Sequence, residues 1–330
     1  MSIELSELHR FFAHPVKAFF RNRLNVTVPS LSEGAEAQLP TSLRPLDEAA
    51  VGSDLLEVGR QLARPDDVVV DPETGDAVAE VRAVIDGYRA RGLLPPPAAS
   101  HPKMAEISHD VAAMLAMAER YDIRRPAPIV HPIDLVLPNG VRLIGSVNGC
   151  IDGTRPGPVR IAFHRGRPQA EIWLALDLLV LTATLPAAAW RGVAVARPPK
   201  GQTEPVTLAK EVLGATGTER QARATAALEV LVAQYQDGQC YPLPLFEKTS
   251  YAHHTGGKPA QAWDPAYGDS GPREGGDGYH VLAFRSLLYH ELTQIEPGGY
   301  TLDGEAQRLW GTLAGALADI HADNDGGAQS

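Results

Sequence analysis

Residues 128–150 read PIVHPIDLVLPNGVRLIGSVNGC. Two apolar runs, 128–137 and 141–150, flank Pro138-Asn139-Gly140. Asn-Gly accepts the left-handed backbone of a tight turn, and β-branched residues on both sides suit a pleated surface, so this stretch predicts a β-hairpin. Toward the C-terminus, GPVRIAF at 157–163 predicts a third strand, 169–184 a very apolar helix, and WRGVAVA at 190–196 a fourth strand. A helix over 219–236, a Gly/Pro/His-rich loop over about 249–279, and helices near 280–292 and 303–321 follow. Toward the N-terminus, Leu5, Leu8, Phe12, Val16, Phe19 and Leu24 give residues 3–24 a nearly helical stripe. A residue before proline avoids the α region while proline fits a first helical turn, so His14-Pro15 predicts a kink between two helical segments. Residues 25–50 read as irregular, and helices are expected at 47–63, 76–91 and 103–121, the last after a Pro95-Pro96-Pro97 stop. The expected class is α/β: a helical N-terminal part over 1–127 and a mixed sheet with flanking and C-terminal helices over 128–330, as two parts or one continuous domain.

The 330 residues are 44% hydrophobic and 21% charged, which excludes wholesale disorder. Two cysteines, Cys150 and Cys240, exclude a disulfide scaffold and suit a reducing cytoplasm. MSIELSELHRFF does not read as a secretory leader, since Glu4 and Glu7 stand where a leader is basic. The apolar run 172–190 contains Asp177 and is interrupted by Pro186. A central Asp costs about 2.5–3.5 kcal/mol on membrane insertion, so a helix inside a globular core is the expected reading. The net charge of -10 is uneven. Residues 32–86 hold 13 acids against 4 arginines, whereas 142–200 hold 8 basic groups against 3 acids. Nucleic-acid contact is therefore confined to the N-terminus or the middle of the chain.

Several chemistries are missing. Gly257-Lys258 is followed by Pro259 and completes no phosphate-binding loop. There is no CxxC, and Cys240, His253 and His254 lack zinc-ligand spacing. No GxSxG elbow is present. The order hairpin, strand, helix invites comparison with metal-dependent PD-(D/E)xK nucleases, which need a strand Asp and then an acidic-x-Lys to hold a divalent ion and position a lysine. The six lysines are Lys17, Lys103, Lys200, Lys210, Lys248 and Lys258. Two positions before them stand Pro15, His101, Pro198, Leu208, Phe246 and Gly256, so the motif does not occur. Gly145-Ser146-Val147-Asn148-Gly149 holds no Asp, and the next strand carries Arg160, Arg165 and Arg167, which repel a divalent ion and attract phosphate. Asp134, Asp152, Glu171 and Asp177 remain as scattered acids, with Asp134 and Asp152 the candidates if an active site has migrated.

LSELHRFFAHPVKAFFRNRL, residues 5–24, resembles the "L..L..F..HPV+.F...RL" opening of the C-terminal domain of RecC, the gamma subunit of exodeoxyribonuclease V, the RecBCD helicase-nuclease. Tyr88 to Pro95, Val141 to Gly149, Arg160 to Leu181, and Pro242-Leu243-Pro244-Leu245 with Lys248-Thr249-Ser250 and Trp263 resemble further segments of that domain, in the same order. The resemblance implies a restriction-endonuclease-like fold whose catalytic residues are lost. It implies RecB-like and RecD-like partners, contact with double-stranded ends and single strands, and a part in DNA-end unwinding and resection for recombinational repair. It implies no membrane and a cytoplasmic setting. ATP and Mg belong to the partner subunits, with no cofactor or metal in this chain. Whole RecC proteins are several times longer, so the chain corresponds to their C-terminal portion, as a fragment or a split-gene product. The candidate DNA- or partner-binding residues are Arg10, His14, Lys17, Arg21, Arg23, Arg160, Arg165, Arg167 and Trp263. An active nuclease with migrated acids and an orphan scaffold are the competing expectations.

Overall fold

A computed structural model describes residues 1–28, 43–125, 129–151, 156–164, 166–264 and 273–320. Pro29 and Pro40 of the expected irregular segment, Asp152, Arg165, and part of the expected 249–279 loop lie outside the described residues.

The hairpin forms as expected, with β2 at Ile129–Val136 and β3 at Arg142–Ile151. Gly140 takes φ +83°, and the Asn139 side chain accepts from the Val141 amide at 3.1 Å. Both bind the turn in the way only such residues allow. The strand β1, Ser2–Glu4, lies parallel to the first half of β3, pairing Ile3 with Leu143. The strand β4, Gly157–Ala162, pairs antiparallel with the end of β3, at Cys150 and Ile151. The strand β5, Arg191–Ala196, is parallel to β4. The strands β6, Val206–Val212, and β7, Leu317–Asp319, add antiparallel pairs and complete a seven-stranded mixed sheet. The sequence reading missed β1, β6 and β7. Two of them have three residues, too short to show a period, and β6 carries Lys210 on an otherwise buried face.

Helices cover both faces. On one side lie α1, Leu5–Ala13, and α2, Pro15–Ala18, which meet at His14 as expected; a π turn over Phe19–Arg23 follows. On the other lie α3, Pro45–Gln61, α4, Ala79–Ala90, and α5, Pro97–Arg120. The Pro95-Pro96-Pro97 run opens α5 rather than stopping a helix, since Pro97 sits in the first turn, where its missing N–H has no helical partner. Between β4 and β5 runs α6, Arg167–Thr184, and after β6 runs α7, Gly217–Cys240. The expected loop is partly helical, holding α8, Glu247–His254, and α9, Pro259–Trp263. The helix expected over 280–292 is split into α10, Gly278–Phe284, and α11, Tyr289–Leu292. Arg285 and Ser286 have φ of +53° and +57° and end α10. The helix expected over 303–321 is α12, Leu302–Ala306, a π turn, and α13, Thr312–Ala316, whose continuation becomes β7.

Among the described residues four apolar clusters result, three large and one small, the last of Ala170, Leu174, Ala194 and Leu208. The first joins Leu5, Leu8, Phe11 and Phe12 of α1 to Leu143 and Val147 of β3, the face of α6, and Leu228 and Leu231 of α7. The second joins α3, α4 and α5 to Val159, Phe163, Val193 and Val195. The third gathers Val16, Phe20, Phe246, Trp263, Tyr279 and Phe284. In β5, Val193 and Val195 face the second cluster while Ala194 faces Leu174 of α6. This is why β5 reads as an unbroken apolar run, as strands buried on both faces do. Among the described residues no helix is long and apolar enough to cross a membrane; α6 spends its apolar surface inside the protein.

Gly52 lets α3 pack directly against Phe163, just after β4, where a Cβ would stand 2.0 Å from the ring. Gly52→Ala is expected to destabilise by about 1–3 kcal/mol through overpacking. Chemical denaturation checks this, with an unchanged midpoint as the contrary result.

Candidate functional site

The segment of β3 that carries no acid lies beside α1, and β4 and α6 bring Arg160 and Asp177 to it. Asp177 is 1% exposed. An isolated buried carboxylate is costly, so it must be paired. One oxygen lies 2.8 Å from His9 Nε2 of α1. The other accepts from Arg160 Nη2 at 2.7 Å and Nε at 3.2 Å. The Arg160 guanidinium also lies 5.2 Å from the centre of the Trp173 ring. With each oxygen held by a cationic or hydrogen-bonding side chain, Asp177 is a neutralised anchor. Cys150, nearby on β3, has its thiol pushed up to about 12 by burial and then by Asp177, so it is inert as a nucleophile at neutral pH. Burial, with Arg160 adding to it, keeps His164 below the usual imidazole range.

The other acids do not converge here. Asp134 is exposed and takes two bonds of 2.6 Å from Arg142 across the hairpin. Glu171 holds Lys210 at 2.7 Å and lies 3.5 Å from Arg167. Among the described residues, one group of His, Cys, Asp or Glu could share an ion: His14, Asp277 and His280. It lies away from β3 and β4.

The basic candidates divide. Arg10, Arg21 and Arg23 are exposed on the N-terminal segment. Arg10 donates to the Ser6 carbonyl at 3.2 Å, and Arg21 to the Tyr279 hydroxyl at 3.2 Å. Lys17 Nζ stands 5.8 Å from the centre of the Tyr279 ring. His14 is half-buried; its Nδ1 accepts from the Lys17 amide at 3.1 Å and caps α2, and its Nε2 lies 3.2 Å from Asp277. Arg160 is directed inward to Asp177. Arg167 opens α6 with its side chain 44% exposed. Arg165 lies outside the described residues. Trp263 is the clearest departure: its reading as an accessible stacking residue fails, because it is fully buried. Its indole donates to the Leu287 carbonyl at 2.8 Å, and Phe246 and His280 pack on it. The polar sequence around it hid the core that α8 to α11 build. Trp173, placed on an apolar helix, is by contrast only half-buried and meets His9, Arg160 and His164. His9 was not singled out by sequence; its signal was the buried Asp177, which requires a partner.

A cavity of about 270 Å³ adjoins His14, Asp277 and His280 and is lined as well by Glu247 and Glu274. Burial, opposed by His14 and the α10 backbone, leaves Asp277 well below the usual carboxylate range, while burial and then His14 hold His280 down at about 4. Burial and the facing Glu274 push Glu247 up to about 7. A raised carboxyl stabilises the fold only while protonated, so its contribution is full below pH 4.5 and is lost as pH rises through 7. Glu247→Gln is therefore expected to be more stable than the parent by about 2 kcal/mol at pH 8, discounted for partial solvent access, and equal to it at pH 4. Denaturation at the two pH values checks this; an equal difference at both would refute it.

A mixed α/β domain with a seven-stranded sheet, helices on both faces, and a salt-bridged carboxylate beside its third and fourth strands is the class this geometry defines. The family described as RecC C-terminal domain matches residues 1–257, and the chain belongs to that family. Over 313 residues it is 30% identical to the RecBCD enzyme subunit RecC of Mycolicibacterium smegmatis, a match spanning 93% of this chain and 26% of that protein. Over 322 residues it is 27% identical to the RecBCD enzyme subunit RecC of Mycobacterium tuberculosis, spanning 96% and 26%. The chain thus spans about a quarter of the length of the curated relatives it matches.

Proposed function

We propose that this chain acts as a RecC-type, non-catalytic part of a DNA-end-processing complex, docking RecB-like and RecD-like partners and guiding split strands. On this reading its sheet is a nuclease-like core whose metal-binding residues are gone, and ATP and Mg serve the partner subunits. We further take residues 1–127 and 128–330 as parts of one continuous unit. The observation that carries the proposal is Asp177: both oxygens are engaged by His9 and Arg160, on a sheet whose third and fourth strands offer no acid where such a nuclease holds its ion. The exposed Arg10, Arg21 and Arg23 are the residues we assign to phosphate or partner contact, and we give Arg167 at the start of α6 the same role.

The test is co-elution with RecB-like and RecD-like proteins of the same cell on size exclusion, with binding of forked DNA measured on the complex. A stable complex is expected, and Arg10, Arg21 and Arg23 changed together to Glu should weaken DNA or partner binding by about tenfold or more. A folded chain that elutes alone with all partners present would refute the docking role. Mg²⁺-dependent cleavage by the purified chain, lost in Asp134→Ala, would replace it with an active nuclease.

A further inference from the structure

We propose that His14, Asp277 and His280 bind one divalent ion of the zinc class, which fastens the joint between α1 and α2 to the start of α10. One ligand atom from each lies within 4.8 Å of the others. The inference is independent of the proposed docking role.

The donors are prepared to different degrees. His280 is 5% exposed and held on several sides. Its ring stacks on Trp263, with centroids 5.5 Å apart at 29°, and meets the Phe246 ring at 4.8 Å. Its Nδ1 donates to the Glu274 carbonyl at 2.6 Å. A ligating histidine commonly gives its second ring N–H to a carbonyl, which leaves the Nε2 lone pair for the ion. Asp277 is fixed as the cap of α10, where its Oδ1 accepts from the Tyr279 and His280 amides at 2.9 and 3.3 Å. His14 must adjust. Its Nδ1 now accepts from the Lys17 amide, so Nε2 carries the proton facing Asp277. On ion binding that proton moves to Nδ1, the ring turns from Lys17, and α2 gives up one cap bond.

Two imidazoles and a carboxylate form a borderline donor set that suits Zn²⁺, Co²⁺ or Ni²⁺ rather than the all-oxygen coordination of Mg²⁺ or Ca²⁺. The adjoining cavity of about 270 Å³ leaves space for water in the remaining position. Lys248 and Arg273 line the same cavity, as do the carboxylates of Glu274 and Asp277. Residue 14 and residues 277–280 are far apart in the chain, so no short motif announces the set.

The experiment uses the full chain, stripped with a chelator and titrated with ZnCl₂ by calorimetry and with CoCl₂ by visible absorption and tryptophan fluorescence. One equivalent of Zn²⁺ is expected, with a raised melting temperature. Co²⁺ should give d–d bands and quench the share of emission from Trp263, which stacks on His280; MgCl₂ should do neither. Asp277→Asn keeps a good helix cap, so it should fold while binding about 10–100-fold more weakly. His14→Gln should behave alike. His253→Gln, altering a histidine paired with Asp303 outside the cluster, should leave uptake unchanged. Absence of uptake at micromolar zinc overturns the inference, as does uptake that Asp277→Asn and His14→Gln leave intact.

Discussion

Asp177→Ala is expected to lower the unfolding free energy by about 2–3 kcal/mol, the cost of removing a buried carboxylate from its hydrogen bonds to His9 and to an Arg160 that stays 35% exposed. The side chain is 1% exposed and carries contacts from two different elements, His9 on α1 and Arg160 on β4. Its removal strands the Arg160 guanidinium against Trp173 and loosens α1 from α6 together. Urea unfolding of the full chain measures the loss. The companion substitution Asp177→Asn keeps the volume and some hydrogen bonds, and should fall between the parent and the alanine variant. A loss under 1 kcal/mol for Asp177→Ala would mean that water reaches the carboxylate and that the cluster is not the anchor described here.

Arg197→Met is expected to cost about 3 kcal/mol or more at pH 7 for the reciprocal reason. Arg197 is 5% exposed at the end of β5 and reaches into the helical layer. It donates to Glu48 at 2.5 Å and to Asp110 at 2.6 Å, with Glu106 at 3.4 Å. Burial alone would raise the Glu48 carboxyl, but Arg197 and then Lys103 outweigh it and hold Glu48 below its usual value. A depressed carboxyl stabilises the fold above its unfolded pKa of about 4.5 and loses that contribution as pH falls through the folded value. Without Arg197, Lys103 alone opposes burial and Glu48 ionises less readily, so the variant should recover stability as it is acidified. The parent and Arg197→Met should therefore converge between pH 7 and pH 4. Parallel stability curves across that range would contradict the network.

The legible parts of this fold were those with a period. Leu5, Leu8 and Phe12 placed α1, the Asn139-Gly140 turn placed the hairpin, and the apolar run around Asp177 placed a buried helix. Less legible were elements whose reason lies elsewhere in the chain. The strand β7 exists because β6 offers it an edge, with Lys210 paired to Asp319. The short helices α8 and α9 exist because Phe246 and Trp263 share a core with Tyr279 and Phe284. That no lysine follows an acid at the nuclease spacing was legible in the sequence. The cluster of His9, Asp177 and Arg160 was not, because His9 and Asp177 are 168 residues apart. Trp263 proved buried for the same reason: neighbours in sequence do not report burial, and long-range packing does.

The parallel pairing of Ser2–Glu4 with Arg142, Leu143 and Ile144 has a consequence for biosynthesis. At roughly 5–20 residues per second, the ribosome delivers β3 on the order of ten seconds after β1. Throughout that interval Ile3, Leu5, Leu8, Phe11 and Phe12 are apolar groups with no sheet to cover them. The helical layer of α3, α4 and α5 emerges in between and packs largely on itself. The β1–α1 segment is thus seated only after β3 has been made, and a holding chaperone would cover it in that interval.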